Sequence, residues 1–451
     1  MSAGSFSSAL PAEKPAGVTR SFQEFLMAQT LTADDPRYRE LFDVAAEAAA
    51  SGGGHVFGDL TPAMSALRDR APVHKGALRD LLGLPQDPHH ASTRQHYSLF
   101  SYKICESAFR NNELFSSKIY LDSVGVQSLG NVILQMVGDE HRRYRNVVQP
   151  MFLRPKVASW WKTNWIDEGV NTLLDRLAGS ERTDLNQNLC ARLPMHVVTR
   201  GIGMDGAEAM NFREHLLRGA AAYVPMEQRI ESQREVARML RELISARRAQ
   251  PGDDVVSGLI RNDLKLEGEG SRKLTDEEIF SYCRLIMLAG GGTTWRQLGI
   301  TIYALLAERR YWEACRDDRS LIEQAINESL RWCPTDPTFP RLVTADTEIE
   351  GVPIAAGCRV DVCLGAANRD PSRWSDPDRY DLFRPQMTHL GFSTGPHQCL
   401  GMNVAKVEMI AAINGLLDRF PNLRLDADAP PPQLIGGLEQ RGMSALPVLL
   451  Q

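Results

Sequence analysis

Residues 274–310, "LTDEEIFSYCRLIMLAGGGTTWRQLGITIYALLAERR", most limit what this chain can fold into. Thr275 stands three residues before Glu278, the pattern of a capping box at a helix start. Apolar residues then fall on nearly every face as far as Leu306, which makes roughly 30 residues or ~45 Å of helix. A helix apolar all round must cross the core of a large domain. Gly290, Gly291 and Gly292 interrupt it, each costing ~1 kcal/mol relative to alanine. Either two helices meet at the glycines, or one helix is thinned because something lies against its backbone. Thr293 and Thr294 would present hydroxyls beside that notch.

The 451 residues allow a large core, and 43% apolar with 24% charged residues is ordinary for a soluble globular protein. A net charge of −5 leaves no nucleic-acid footprint. The opening "MSAGSFSSALPAEKPAGVTR" has no apolar run, so neither a signal peptide nor a membrane span is expected, and the location is expected to be cytoplasmic. Residues 1–54 read as a peripheral arm and 55–451 as one domain. "VNTLLDRLAG" and "REVARMLRELISARRAQ" carry helical spacing. Strand-like pieces sit at 96–102, at 347–364 and in the terminal "SALPVLL". The fold class is therefore mainly α with small β-sheets.

Eight cysteines occur with no CxxC pair, which argues against disulfides and for small buried thiols. Cys399 differs because it stands in "HLGFSTGPHQCLG", residues 389–401, among glycines, a proline and His397. It could be a nucleophile, a zinc ligand or a haem ligand. A nucleophile needs a base, and His397 two residues away is poorly placed. Zinc asks for paired Cys/His spacing that is missing. A haem thiolate asks for N–H groups aimed at sulfur, glycines near a flat porphyrin, and cations for two propionates.

Three other motifs add to this. Glu328 and Arg331 in "NESLRW" are spaced to pair on one helix face, where a solvated pair is the ordinary outcome. Arg379 in "DPDRY" is a further possible partner for Glu328, and Arg341 follows the turn "PTDPTFPR". His141 and Arg145 share a face in "GDEHRRYRNVVQPMF", while Arg142 and Arg143 point elsewhere.

Together these resemble the cytochrome P450 family of haem-thiolate monooxygenases. "FSTGPHQCLG" fits the family's FxxGxHxCxG loop at Phe392, Gly395, His397, Cys399 and Gly401. "ESLR" is similar to its ExxR, "AGGGTT" to its oxygen-activating segment, "HRRYR" to HxxxR, "APVHK" to its first strand and "RGMSALPV" to its terminal hairpin. The matches run in order over about residues 55–451.

The resemblance implies a single-domain fold with a long central helix over haem b, iron protoporphyrin IX. Cys399 would bind the iron, with Phe392 packed near the sulfur. His141, Arg145, Arg341 and His397 would hold the propionates, with Gly395 and Gly401 shaping the loop. Ala289 and Gly290 would lie nearest the distal face, and Thr293, with Thr294 beside it, would serve oxygen activation. Glu328, Arg331 and Arg379 would form a structural triad. Substrate would meet Leu285, Leu288, Gly292, Thr338, Phe339 and Gln440, and the segments 120–135 and 219–226.

One position departs from the family pattern: Gly292 stands where an acid usually precedes the threonine. Water in the vacated space would then carry the protons. The function implied is insertion of one oxygen atom from O2 into a hydrophobic or aromatic small molecule. Electrons would come from a separate ferredoxin met by a basic patch of Arg142, Arg143 and Lys406. Peroxide-driven or ring-coupling chemistry and a haem sensor are the alternatives. A monomer without membrane or nucleic-acid partners is expected.

Overall fold

The computed structural model describes residues 58–84, 93–127, 129–220 and 224–451. The arm expected over 1–54 lies outside them. Helices dominate, and those used below are α1 (Tyr102–Arg110), α2 (Gly138–Val148), α3 (Arg192–Ile202), α4 (Asp276–Ala307), α5 (Leu321–Trp332) and α6 (Met402–Arg419). The strands used are β1 (Val73–Lys75), β2 (His96–Leu99), β3 (Phe115–Ser116), β4 (Phe339–Val343) and β5 (Arg359–Val362), with β6 (Leu434–Ile435) and β7 (Gly442–Met443) pairing as a hairpin. The five-stranded sheet runs β1-β2-β5-β4-β3. Its β2–β5 pair is parallel with His96 opposite Arg359, and its other pairs are antiparallel. Among the described residues no helix is long and apolar enough to cross a membrane.

The apolar segment is one helix, α4, 32 residues long. Its capping box is made in both directions: Glu278 N–H donates to Thr275 Oγ1 at 3.3 Å, and Thr275 N–H donates to Glu278 Oε2 at 2.7 Å. Asp276, Glu277 and Glu278 place negative charge at the positive end of the helix dipole. Something does lie against its glycines, and most of it is protein. A Cβ on Gly290 would come within 2.9 Å of Val198, and one on Gly291 within 2.5 Å of Met195 Sδ. Two of the three glycines therefore let α3 pack close against α4. The single thinned helix is the one of the two readings that holds, and Gly290, expected nearest the distal face, turns toward Val198.

Glu328 and Arg331 are not a solvated pair, for each is 2% exposed. Arg331 grips Glu328 with two bonds of 2.8 Å. The second arginine is Arg384, whose Nε donates to Glu328 Oε1 at 3.0 Å. Arg379, expected in that place, is exposed and contributes only its carbonyl, which accepts from Arg331 and from Arg384 at 3.0 Å each. The chain turns through Asp376, whose φ is +47°, and this brings Arg384 back under α5.

Removing one partner of a buried ion pair leaves the other charge stranded, at a cost of about 3–5 kcal/mol. Glu328→Ala and Arg384→Ala should each lower unfolding stability by that amount. Arg379→Ala should change it by no more than ~0.5 kcal/mol. Chemical denaturation of the three variants checks this, and equal losses for Arg379 and Arg384 would contradict the assignment.

Candidate active site

The cysteine loop is clamped from both sides. Gly395 has a φ of +76°, and a Cβ there would come within 2.6 Å of the Phe109 carbonyl on α1. Only glycine meets both demands. A Cβ on Gly391 would come within 2.9 Å of the Leu330 carbonyl on α5. Within the loop, Cys399 N–H donates to the Phe392 carbonyl at 3.0 Å and Gln398 N–H to that of Gly395 at 3.1 Å. Gly401 is different, because a Cβ there would meet nothing within 4 Å. Its side opens onto space instead of protein.

Cys399 is the one exposed thiol among the eight cysteines, and no cysteine is bridged. Its surface is open, but the thiol lies deep among protein atoms, and that enclosure pushes it above its ordinary pKa. The N–H groups of Gly401 and Met402, at the N-terminus of α6, and the Arg145 guanidinium oppose that rise, while Asp336 adds to it. His397 is driven the other way, down to about 2, by burial and by His141, Arg341 and Arg145. An activated nucleophile would show a lowered thiol beside a raised imidazole. Both shifts run against that reading. Cys358 and Cys363 are buried, and among the described residues no group of three or more His, Cys, Asp or Glu could hold a metal ion.

The four residues expected at the propionates come together. The His141 and His397 rings stack at 4.0 Å between centroids. Each has a buried Nε2 without a hydrogen-bond partner. Arg145 donates to the Gln398 carbonyl at 2.6 Å, which ties α2 to the loop. Arg341 is 4% exposed, lies over the Phe109 ring at 5.2 Å and is felt by His397. Tyr120 lies near enough for its hydroxyl to feel the Arg341 guanidinium, while burial raises its pKa. Two orphaned imidazole nitrogens beside two guanidinium groups suit a ligand with carboxylates. With the open side of Gly401 and a thiol able to bind iron, the residues present fit a porphyrin.

The central helix supplies a second wall. Between Ile279 and Leu306 only Leu288 and Ala289 are exposed, with Leu288 at 51%. Leu285, Gly292 and Thr293, three or four residues from these, and Arg296, one turn beyond, retain partial exposure. This stripe is one face of α4. Thr294 is on the opposite side, 8% exposed, so the expected pairing of two threonine hydroxyls is not made. Thr293 Oγ1 donates to the Ala289 carbonyl at 3.0 Å.

The space beside Gly292 is not empty, which corrects the expected water route there. A Cβ would meet Gln440 Oε1 at 3.1 Å and Nε2 at 3.3 Å. Gly292 and Gln440, both expected at the substrate, are therefore neighbours. Thr338, just before β4, is 7% exposed, and Phe339, the first residue of β4, packs edge-on against Phe109. Parts of the segments 120–135 and 219–226 lie outside the described residues.

Two basic positions also change. Lys406 is not a surface charge: its side chain is 20% exposed, near Glu323 and over the Phe392 ring. Arg110 was not singled out in the sequence but abuts the loop, with its Cα 3.0 Å from a Cβ on Gly395 and its side chain 62% exposed. No local motif marks it, and only the α1–loop contact places it there.

A thiol held at a helix N-terminus, a cationic pocket with orphaned imidazoles and an open helix face define a haem-thiolate protein. The family model for cytochrome P450 matches residues 221–446. The 6-deoxyerythronolide B hydroxylase of Saccharopolyspora erythraea is 32% identical over 69% of this chain and 76% of its own length. The steroid C26-monooxygenase of Mycolicibacterium smegmatis is 31% identical over 74% of this chain and 82% of its own. The crystal structure of CYP109E1 from Bacillus megaterium with testosterone superposes with a TM-score of 0.76 at 24% identity, covering 87% of this chain and 99% of that one. The chain belongs to the cytochrome P450 family, and it is a P450 monooxygenase whose cofactor is haem b.

The lowered imidazoles make a prediction for protein stripped of haem. His141 is held down to about 4, mainly by burial and then by Arg145, against ~6.5 unfolded. The unfolded chain then takes up a proton that the folded one refuses. Stability is therefore full above ~6.5 and falls as pH drops toward about 4. His141→Phe should flatten that limb in pH-dependent thermal unfolding. An unchanged slope would show that His141 is not buried neutral.

Proposed function

We propose that this protein inserts one oxygen atom from O2 into a largely apolar small molecule, with electrons delivered by a separate ferredoxin-type protein. The observation that carries this is the single exposed thiol, Cys399, set among backbone N–H groups, with an accessible stripe on an otherwise buried helix. When bound, haem b supplies oxygen activation through its iron. In this reading Cys399 is the iron ligand, and the N–H groups of Gly401 and Met402 with Arg145 steady its negative charge. His141, His397, Arg145 and Arg341 hold the propionates. Gly401 leaves room for the ring. Thr293 offers its hydroxyl as a proton relay on the opposite wall, while its bond to the Ala289 carbonyl fixes its direction.

Leu285, Leu288, Ala289 and Gly292 make the substrate wall apolar and low, and Gln440 and Arg296 give it one polar corner. Two relatives are named for 6-deoxyerythronolide B and for a steroid, which supports a bulky, mainly apolar substrate. Arg110, beside the cysteine loop, and Arg142, on α2, are exposed basic side chains paired at the surface with Glu106 and Asp139. Such exposed pairs are worth little and can be exchanged for an acidic partner.

Cys399→Ala should abolish the thiolate-type absorption of the reduced, CO-bound protein, and retention of that band would end the assignment. Reversing charge at Arg110 and Arg142 should slow electron transfer from an acidic ferredoxin at low salt. The difference should shrink as salt rises, since the Debye length is ~10 Å at 0.1 M. Stopped-flow reduction across a salt series measures this, and a rate indifferent to both substitutions and salt would remove that surface.

A further inference from the structure

The missing acid at Gly292 leaves a question of proton supply. A carboxyl stands nearby on a different element. Asp336 belongs to the turn between α5 and β4, and three hydrogen bonds fix that turn to the strand-hairpin corner. Gln440 N–H donates to Asp336 Oδ1 at 2.7 Å, Arg441 N–H donates to the Thr335 carbonyl at 2.7 Å, and Thr335 Oγ1 donates to the Arg441 carbonyl at 2.7 Å. Thr335 N–H donates to Gln297 Oε1 at 3.0 Å, which ties the same turn to α4 one residue beyond Arg296. Gln440 is held at a φ of +56°, a conformation uncommon outside glycine. Its side-chain amide is the group that a Cβ on Gly292 would meet. Arg296 caps the Gly292 carbonyl at 2.7 Å.

Asp336 thus sits between the α4 stripe and the hairpin, close enough to the cysteine loop for Cys399 to feel its charge. The charged groups facing it are Arg296, from α4, and Cys399, whose thiol it raises. Burial raises Asp336 itself, against the pull of the Gln440 N–H and Arg296. A carboxyl held above its ordinary range beside a helix stripe is equipped to give a proton.

We propose that Asp336 is the proton donor of the distal pocket, taking over from across the cavity the task of the acid that Gly292 lacks. One oxygen, Oδ1, is committed to the Gln440 N–H. The other, Oδ2, carries the proton. Asp336 passes it to a water, that water passes one on to Thr293 Oγ1 as the hydroxyl releases its own proton into the pocket, and the carboxylate regains a proton from solvent. No electrons move and Asp336 ends each cycle as it began. Gln440 is a positioning residue: its backbone orients the carboxyl, and its amide closes the space beside Gly292 through which bulk water would otherwise enter. The proposal rests on the oxygen-dependent reading above.

Asp336→Asn is an informative variant, because an asparagine Oδ1 still accepts from Gln440 N–H while the ionisable proton is gone. Two measurements on the haem-loaded protein test it. In the resting state, the infrared carbonyl stretch of a protonated carboxyl should persist above the ordinary aspartate range of pH, and Asp336→Asn should remove it. This needs no turnover. In turnover with ferredoxin and oxygen, Asp336→Asn should cut product formed per electron consumed about tenfold or more, since a positioned acid contributes 10²–10⁴. Asp336→Glu should retain most of the coupling. Adding Gly292→Asp to Asp336→Asn should restore part of it, as the flexible Gln440 amide can yield. The CO-bound thiolate band must survive in each variant, which excludes a collapsed site. Wild-type coupling in Asp336→Asn, or no infrared band that disappears with Asp336, would overturn the proposal. If the wild type itself forms product with peroxide and none with oxygen, the oxygen-dependent reading fails and the proposal falls with it.

Discussion

The fold depends on one negative charge placed where water cannot reach it. Glu328 is almost wholly buried and is answered by Arg331 from its own helix and by Arg384 from a segment more than fifty residues on. Two guanidinium groups on one carboxylate leave a surplus positive charge, and backbone carbonyls absorb it. Arg331 reaches those of Asn368, Pro377 and Arg379, and Arg384 reaches those of Ser375, Asp376 and Arg379. A buried arginine with every arm on a carbonyl becomes a rigid fastener for irregular chain. The stretch before the cysteine loop has almost no regular structure, so this fastening does there what a helix or strand does elsewhere. Asn368 continues it, since its Oδ1 takes the Leu390 N–H at 2.7 Å just before the loop begins. The position of Cys399 is thus inherited from Glu328.

The central helix answers a different constraint. Most of α4 is packed on all sides, and Gly290 and Gly291 exist to let α3 approach. The accessible stripe from Leu285 to Arg296 is therefore not loose packing. Small residues are spent on the neighbouring helix, while side chains that reach outward are kept on the open face. Gly292 belongs to both patterns: it faces the open side, and Gln440 fills the room it leaves.

What was legible in the sequence was legible locally. The cysteine loop, the capping box and the four residues of the cationic pocket each sit in short stretches whose residue types state their own needs. α4 could be read as buried from its apolar faces, though not as one helix, because the side chains that tolerate the glycines, Val198 and Met195, are distant in sequence. The same distance explains the exchange of Arg379 for Arg384. The sequence reading names Arg379 alone; Arg384 lies five residues on, and only the turn at Asp376 decides which side chain points inward. Thr294 could have been set aside from helical spacing alone, since it falls opposite the stripe, and Arg296 could have been added by the same count. Lys406, Arg110 and Asp336 could not be placed that way, because burial and proximity at those positions are properties of tertiary contact.

The electrostatics of the pocket run in one direction across its two halves. Burial and the neighbouring arginines press His141 and His397 toward the neutral form, and enclosure raises the Cys399 thiol. Low dielectric disfavours charge on each of these groups. Arg145 touches the loop carbonyl at Gln398 and is felt by both His397 and Cys399, so one guanidinium holds the imidazole down and opposes the rise of the thiol. It joins the imidazole side of the pocket to the thiol side.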